Sequence, residues 1–156
     1  MKKLRIYVDT SVLGGCFDSE CDQWSNRLLE AFRRGEYIPV LSSVVAGEVE
    51  QAPEPVKEVH AELIAAGAEL LMVSAEALEL LGQYQAKKIL GPKFQNDMLH
   101  IALATIADAD LLVSWNFRHI VRLDKIRLFN AVNIECGYKA LTIYSPREVV
   151  PGEANE

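Results

Sequence analysis

The sequence alternates short apolar runs with longer segments of helical periodicity, and this alternation constrains the fold more than any other feature. Five runs have the β-branched, apolar composition of buried strands: 4–8, 38–41, 69–73, 111–114 and 141–144. Apolar residues at helical spacing predict helices over 21–34, 43–52, 55–66, 75–89, 95–107 and 125–136. Because strands that alternate with helices favour βαβ units, we predict an α/β fold, a three-layer α/β/α sandwich around a mostly parallel sheet.

Glycine and serine residues mark several of the predicted limits. Gly14 and Gly15 are expected to break the chain after the first strand, while Gly35 is expected to end the first helix. Ser74 is placed to cap one helix, and Ser42 or Ser43 to cap another. These signals agree with the alternation of strands and helices.

Length and composition favour one domain with an ordinary core. The 156 residues suffice for a sizeable core, and we assign 1–150 to a single domain and 151–156 to a short tail. No run approaches the roughly 18 apolar residues of a membrane span, so we expect no membrane association and a cytoplasmic location. The three cysteines form no paired zinc motif and are expected to be reduced.

The formal net charge of −6 limits the kinds of nucleic-acid contact that this chain can make. Binding that ignores sequence relies on an extended basic surface, which an acidic chain lacks. The charge therefore favours a small zone of substrate contact.

Four scattered segments each carry one acidic or amide side chain where an apolar strand or helix ends or turns. The four side chains belong to Asp9, Glu48, Asp97 and Asn116. In open parallel sheets, sites form beyond the carboxyl ends of strands, and Asp9 and Asn116 follow such ends directly. If the fold brings the four together, their oxygens form a hard, negatively charged pocket that suits Mg²⁺ or Mn²⁺ better than Zn²⁺. Such a pocket favours chemistry on phosphodiesters.

Each of these side chains also has a structural interpretation. Asp9 could cap the residues that follow it, with Thr10 or Ser11 sharing that role. Glu48 could be a solvated glutamate, although Val45 and Val49 mark the buried side and Glu48 lies nearer to it than the competing Glu50.

Asp97 and Asn116 leave similar alternatives open. Asp97 falls in the first turn of its helix, where the macrodipole favours an acid, and Asn96 could be the cap. His100 follows one turn later and is interpreted as a packing or surface residue. Asn116 could offer a neutral oxygen to a metal or close a turn.

With these residues in place, the chain resembles a PIN domain, the nuclease fold of VapC-type toxins from toxin–antitoxin pairs and of other RNA-processing proteins. The resemblance spans Ile6 to about Val150. It rests on four motifs in order: Asp9-Thr10-Ser11, the helix over 43–48, Asn96-Asp97 with 101–104, and the run 112–116.

The resemblance implies a metal-dependent ribonuclease that hydrolyses single-stranded RNA with Mg²⁺ or Mn²⁺. It implies that Asp9, Glu48 and Asp97 hold the metal, with Thr10, Ser11 and Ser114 as supporting polar groups. Many members carry a fourth acidic residue at the position of Asn116. The amide in this chain therefore leaves the site with one negative charge fewer. The resemblance further implies an antitoxin protein as a partner and, by analogy, a homodimer.

Basic and aromatic residues after Asn116 are the candidates for RNA contact. The basic residues are Arg118, Arg122, Lys125 and Arg127. His119 could add a contact, and Trp115 or Phe117 could stack on a base. The open alternative is that the aromatic side chains belong to the core and the charges to a solvated face.

Two other functions remain open at this point. A noncatalytic RNA- or protein-binding module could keep the fold with a site weakened by Asn116. A phosphatase, or a phosphoryl-accepting Asp9, would use the same acidic pocket on smaller phosphoesters.

Overall fold

The centre of the molecule is a sheet of short apolar strands, seen in a computed structural model that describes residues 2–150. The strands lie where the apolar runs predict them, with ends that differ by a few residues. They are β1 Arg5–Val8, β2 Ile38–Ser42, β3 Glu69–Leu71, β4 Leu111–Val113 and β5 Ile143–Tyr144. The predicted tail 151–156 lies outside the described residues.

The strand order is β3-β2-β1-β4-β5, and every strand pairing in the described residues is parallel. In the centre, Tyr7 of β1 lies opposite Val40 of β2 and Leu112 of β4. These three side chains are fully buried, as expected for strands covered by helices on both faces. The predicted α/β/α fold with a parallel sheet is confirmed.

Eight α-helices connect and cover the strands within residues 2–150. They are α1 Thr10–Gly15, α2 Asp22–Arg33, α3 Ser43–Val49, α4 Glu54–Ala65, α5 Ala75–Ala86, α6 Gln95–Ile106, α7 Leu123–Glu135 and α8 Pro146–Val149. A single 3-10 turn, Pro92–Phe94, leads into α6. The six predicted helices are present, and α8 forms the C-terminal turn after Ser145.

The break expected at Gly14 and Gly15 is wrong, because both residues belong to helix α1. Gly15 is required for close packing. A Cβ atom there would lie 2.6 Å from Ser25 Oγ and 2.6 Å from Trp115 Nε1, which leaves no room for a side chain. Glycine thus lets α1 approach α2 and the segment after β4.

The predicted helix ends are mostly present. Ser42 and Ser74 each accept a hydrogen bond from a main-chain N–H one turn later, which caps α3 and α5. Gly35 follows α2 with φ of +73°, a left-handed conformation that glycine adopts without strain. Asn96 does not cap α6, since the helix starts at Gln95.

No helix among residues 2–150 is long and apolar enough to cross a membrane. Cys16, Cys21 and Cys136 form no disulfide with one another, and their reduced state stays a prediction.

Candidate active site

The polar side chains singled out in the sequence gather at the carboxyl end of the sheet. β1 lies between β2 and β4, so the segments that follow these three strands are neighbours. They contribute Asp9, Glu48 on α3, and Asn116, while the first turn of α6 brings Asp97. This is the edge at which open parallel sheets form their sites.

Asp9 is a buried carboxylate held by two hydroxyl groups. Its side chain accepts one hydrogen bond from Ser11 Oγ at 2.6 Å and one from Ser114 Oγ at 2.6 Å. Its relative exposure is 4%, and no lysine or arginine among residues 2–150 forms a hydrogen bond or ion pair with it. Although Asp9 stands at the N-cap position of α1, its side chain forms no capping bond. The capping interpretation is therefore not supported.

Burial raises the pKa of Asp9 above its ordinary value. The charge that His100 carries when protonated and the bonds from Ser11 and Ser114 oppose this rise without cancelling it. Ionisation of Asp9 therefore carries a desolvation cost in free energy that no neighbouring Lys or Arg offsets. A bound cation would remove that cost.

Glu48 is fixed from two sides. Its Oε1 accepts a hydrogen bond from Thr10 Oγ1 at 2.8 Å and lies 2.8 Å from His100 Nε2. Burial alone would raise the pKa of Glu48, but the bond and charge of His100, with smaller contributions from Thr10 and Asn96, lower it overall. Glu50 is exposed, so Glu48 is the glutamate that faces the site.

His100 links Glu48 to the core. Its Nδ1 lies 2.6 Å from the hydroxyl of Tyr7, which in turn lies 2.7 Å from Ser42 Oγ. His100 is only 2% exposed, which agrees with its interpretation as a packing residue. That interpretation did not include the contact of its ring with Glu48. The one signal in the sequence was its place on the apolar helix that also carries Asp97.

Asp97 faces a cleft that it shares with Glu48. The cleft has a volume of about 600 Å³ and is lined by Glu48, Pro92, Lys93, Phe94, Gln95, Asn96 and Asp97. Asp97 Oδ2 lies 2.9 Å from His119 Nδ1, and the His119 ring packs on Phe94 with centroids 3.9 Å apart. The site therefore opens to solvent on the α6 side.

Asn116 forms a turn after β4. Its Oδ1 accepts hydrogen bonds from the main-chain N–H groups of Arg118 at 3.1 Å and His119 at 2.9 Å. Its own N–H donates to Ser114 Oγ at 2.9 Å, and the same hydroxyl donates to Asp9. The turn alternative is thus present in the structure, while a catalytic role for Asn116 stays a prediction.

The donor set has the chemistry that Mg²⁺ or Mn²⁺ prefers. The three carboxylates of Asp9, Glu48 and Asp97 offer only oxygen atoms as ligands. Within residues 2–150, however, no three His, Cys, Asp or Glu side chains form a cluster tight enough to be a finished metal site. The residues fit such an ion by their chemistry and share one network of contacts.

The four basic residues proposed for RNA contact differ in their surroundings. Arg118, Arg122 and Arg127 are all exposed, and Arg122 also pairs with Asp124 at 2.8 Å. Lys125 Nζ donates to the carbonyl oxygen of Ile89 at 2.8 Å, which ties α7 to the loop before α6. Their role in RNA binding stays a prediction.

The two aromatic residues beside Asn116 also differ in their exposure. Trp115 donates its Nε1–H to Ser25 Oγ at 2.8 Å and packs beside Gly15, so it is partly buried against the core. Phe117 is 55% exposed at the turn. Of the two, Phe117 has the ring that is more available to a base.

A comparison with solved structures shows where else this fold occurs. The chain is similar to a chain in the crystal structure of VapBC2 from Rickettsia felis bound to a DNA fragment from their promoter, with a TM-score of 0.58. The match covers 91% of this chain and 98% of that chain at 16% sequence identity. The similarity confirms the PIN-like fold.

No protein-family model and no curated protein sequence matches the chain.

Proposed function

We propose that this protein is a divalent-metal-dependent ribonuclease that hydrolyses phosphodiester bonds of single-stranded RNA. The observation that carries the proposal is the Asp9 carboxylate, which is buried at the carboxyl end of the central strand and held by hydroxyl groups without a lysine or arginine partner in the described residues. Such an arrangement disfavours the free anion and favours a site that a cation completes.

The chain's own residues have distinct parts in this proposal. Asp9 and Asp97 would hold the ion directly, and Glu48 would hold it or orient the attacking water. Ser11 and Ser114 keep the Asp9 carboxylate in one orientation, and Thr10 does the same for Glu48. These hydroxyl groups act as the predicted supporting residues.

A bound Mg²⁺ or Mn²⁺ would supply Lewis-acid chemistry by neutralising the charge that develops on the phosphate group. The RNA strand would enter the cleft beside Glu48 and Asp97, on whose wall Lys93 lies. Arg118 and Arg127 are exposed and would contact phosphates further along the strand.

We further propose that the protein is the toxin of a toxin–antitoxin pair. The similar fold in the VapBC2 structure supports this proposal and an antitoxin protein as partner. A homodimer and a cytoplasmic location are part of the same proposal. A small DNA-binding protein encoded in the neighbouring reading frame would support the assignment.

The deciding experiment measures cleavage of structured and single-stranded RNAs with Mg²⁺ or Mn²⁺ by the native protein, Asp9→Asn and Asp97→Asn. Both variants keep side-chain volume, so they should fold and lose roughly 10³-fold in kcat/KM, about 4 kcal/mol of transition-state stabilisation. Arg34→Gln is the matched control, since Arg34 forms an exposed ion pair with Glu36. Native protein that neither binds Mn²⁺ nor cuts any RNA would refute the proposal.

A noncatalytic RNA-binding module is the second candidate, because the described residues contain no finished metal cluster. It predicts RNA binding that is unaffected by Mn²⁺, with no cleavage. Calorimetry with and without EDTA separates the two functions, since the nuclease should bind Mn²⁺ in a manner that depends on Asp9.

A further inference from the structure

The side-chain oxygen of Asn116 is already fully used by the protein. An amide oxygen has two lone pairs, and Asn116 Oδ1 accepts from the N–H groups of Arg118 and His119 at 3.1 and 2.9 Å. Its main-chain oxygen accepts from Ile120 and Val121 at 3.1 and 2.8 Å. Asn116 therefore organises the turn after β4 and has no Oδ1 lone pair left for a metal ion.

This turn places the ring of His119 against Asp97. His119 Nδ1 and Asp97 Oδ2 are 2.9 Å apart, and an ionised carboxylate can only accept, so Nδ1 carries the proton and donates it. The two side chains are 15% and 21% exposed. The bond therefore joins the segment after β4 to the first turn of α6 in a half-buried setting, where it is shielded from competing water.

Phe94 prevents the His119 ring from turning away. The two ring centroids are 3.9 Å apart with a 45° tilt, and Lys93 Nζ covers the Phe94 ring at 5.1 Å from its centroid. Phe94 directly precedes α6, the helix that carries Asp97. The packing thus fixes His119 Nδ1 relative to the Asp97 carboxylate, to which it donates.

Glu48 is held in a comparable way. Its Oε1 lies 2.8 Å from His100 Nε2, and Tyr7 holds the other nitrogen of that ring. In both cases an imidazole fixed by aromatic neighbours orients a carboxylate of the site. Partners of this kind typically change metal affinity or activity by 10- to 100-fold when removed.

We propose that Asn116 and His119 are positioning residues: Asn116 shapes the turn, the turn places His119, and His119 orients Asp97 toward the divalent ion. This proposal rests on the nuclease function proposed above. It explains why an amide can stand where a fourth acid is common among PIN domains, because the turn needs an acceptor oxygen and not a charge.

The test compares Mn²⁺ affinity, measured by calorimetry, in the native protein, His119→Ala, Asn116→Ala and Asn116→Asp. Both alanine variants should weaken Mn²⁺ binding by about 10- to 100-fold. Asn116→Asp should stay within about 3-fold of the native affinity, because a carboxylate accepts the same two N–H bonds. If Asn116 were itself a ligand, Asn116→Asp would instead tighten binding tenfold or more, which would overturn the proposal.

Two further measurements separate positioning from general structural damage. The double variant Asn116→Ala with His119→Ala should lose no more affinity than His119→Ala alone, since both act through one contact. Cleavage should show a lower kcat with an unchanged KM for RNA. His119→Asn, which keeps an N–H group near the position of Nδ1, should restore part of the affinity and serves as the test if His119→Ala does not fold.

The outcomes distinguish this proposal from the function on which it rests. Native protein that binds no Mn²⁺ and cuts no RNA refutes the nuclease function and, with it, the positioning role. Native protein that binds and cuts, together with a His119→Ala variant of native affinity and kcat, refutes the positioning role alone.

Discussion

The charged side chains at the two ends of the central strand β1 differ in the partners that surround them. At its start, the Arg5 guanidinium donates to both carboxylate oxygens of Glu69, at 2.9 and 2.6 Å, and to the carbonyl oxygens of Ala107 and Asp108 at 3.0 Å. One residue beyond its end, the buried Asp9 carboxylate accepts hydrogen bonds from two serine hydroxyl groups and has no lysine or arginine partner in the described residues.

This difference separates a stabilising end of the sheet from a functional one. A charge with complete partners supports the fold, whereas a buried charge without an opposite charge costs folding free energy. Proteins retain such destabilising charged groups where activity requires them, and residues with perturbed pKa values are concentrated at functional sites. The comparison between Arg5 and Asp9 therefore predicts opposite responses to metal, to substitution and to pH.

The largest expected effect is stabilisation by metal at the Asp9 end. At a Mn²⁺ concentration 100 times Kd, binding should add about 2.7 kcal/mol to the free energy of unfolding and raise Tm by roughly 5–10 °C. Arg5→Met should show the same increase, and Asp9→Asn should show little. Scanning calorimetry with Mn²⁺ or EDTA tests this, and an equal increase in Asp9→Asn would remove Asp9 from the metal site.

The next largest effect is loss of stability at the Arg5 end. Arg5→Met leaves Glu69 and two carbonyl oxygens without their donor, and because the Arg5 and Glu69 side chains are 23% and 37% exposed, water replaces part of the loss. We expect a decrease of about 1–2 kcal/mol in the free energy of unfolding, or roughly 3–6 °C in Tm.

Urea unfolding of Arg5→Met measures this change, and Arg34→Gln is the control for loss of an exposed ion pair. Arg34→Gln should move Tm by less than about 1 °C. Should Arg5→Met prove as stable as the native protein, the start of β1 would not be the stabilising end.

A smaller effect of opposite sign is expected for Asp9→Asn without metal. Since burial raises the folded-state pKa of Asp9, the native protein gains from protonation at low pH and loses that gain as the pH rises through the folded pKa. The amide carries no charge, so in EDTA Asp9→Asn should be about 1 kcal/mol more stable near neutral pH, or roughly 2–4 °C in Tm.

The pH profile provides the control for this substitution. The advantage of Asp9→Asn should grow as the pH rises above the ordinary aspartate range and should vanish below it. A variant that is less stable than the native protein at every pH would show that the two serine bonds matter more than the burial of charge.

The smallest effect concerns His60, a polar group outside the site. Within the described residues, His60 Nε2 is the one buried side-chain nitrogen or oxygen without a hydrogen-bond partner, and burial lowers the pKa of His60. Because the folded state resists protonation, stability should fall as the pH drops below about 6.5. His60→Leu should abolish about 1–2 °C of the Tm decrease between pH 7.5 and 5.5.

Thermal scans of the native protein and His60→Leu at the two pH values test this prediction. Identical decreases in Tm would exclude His60 as the source of the decrease.

Local patterns were sufficient for the elements of the fold. β-Branched runs located all five strands, because such residues suit a pleated surface buried on both faces. The helix α1 was missed because adjacent glycines usually disfavour a helix, and the contacts of Gly15 with Ser25 and Trp115 are not visible in the sequence. Tertiary packing overrode local propensity at that point.

The site was predictable only in part, for a similar reason. Strand ends pointed to Asp9, and helical phase favoured Glu48 over Glu50, because both signals are local. The roles of His100 and His119 depend on partners that lie 52 and 22 residues away in the sequence. No spacing rule relates such residues before the chain folds.

The sequence by itself determined the parallel α/β architecture and the set of acidic side chains, since strand and helix patterns depend on neighbours within a few residues. Only the tertiary structure decided which donors surround each carboxylate, that Trp115 packs against the core while Phe117 is exposed, and that the Asn116 oxygen closes a turn. The physical reason is that burial and hydrogen bonding are properties of groups brought together by long-range packing, so the free energy of a charge at Asp9 depends on residues as distant as Ser114.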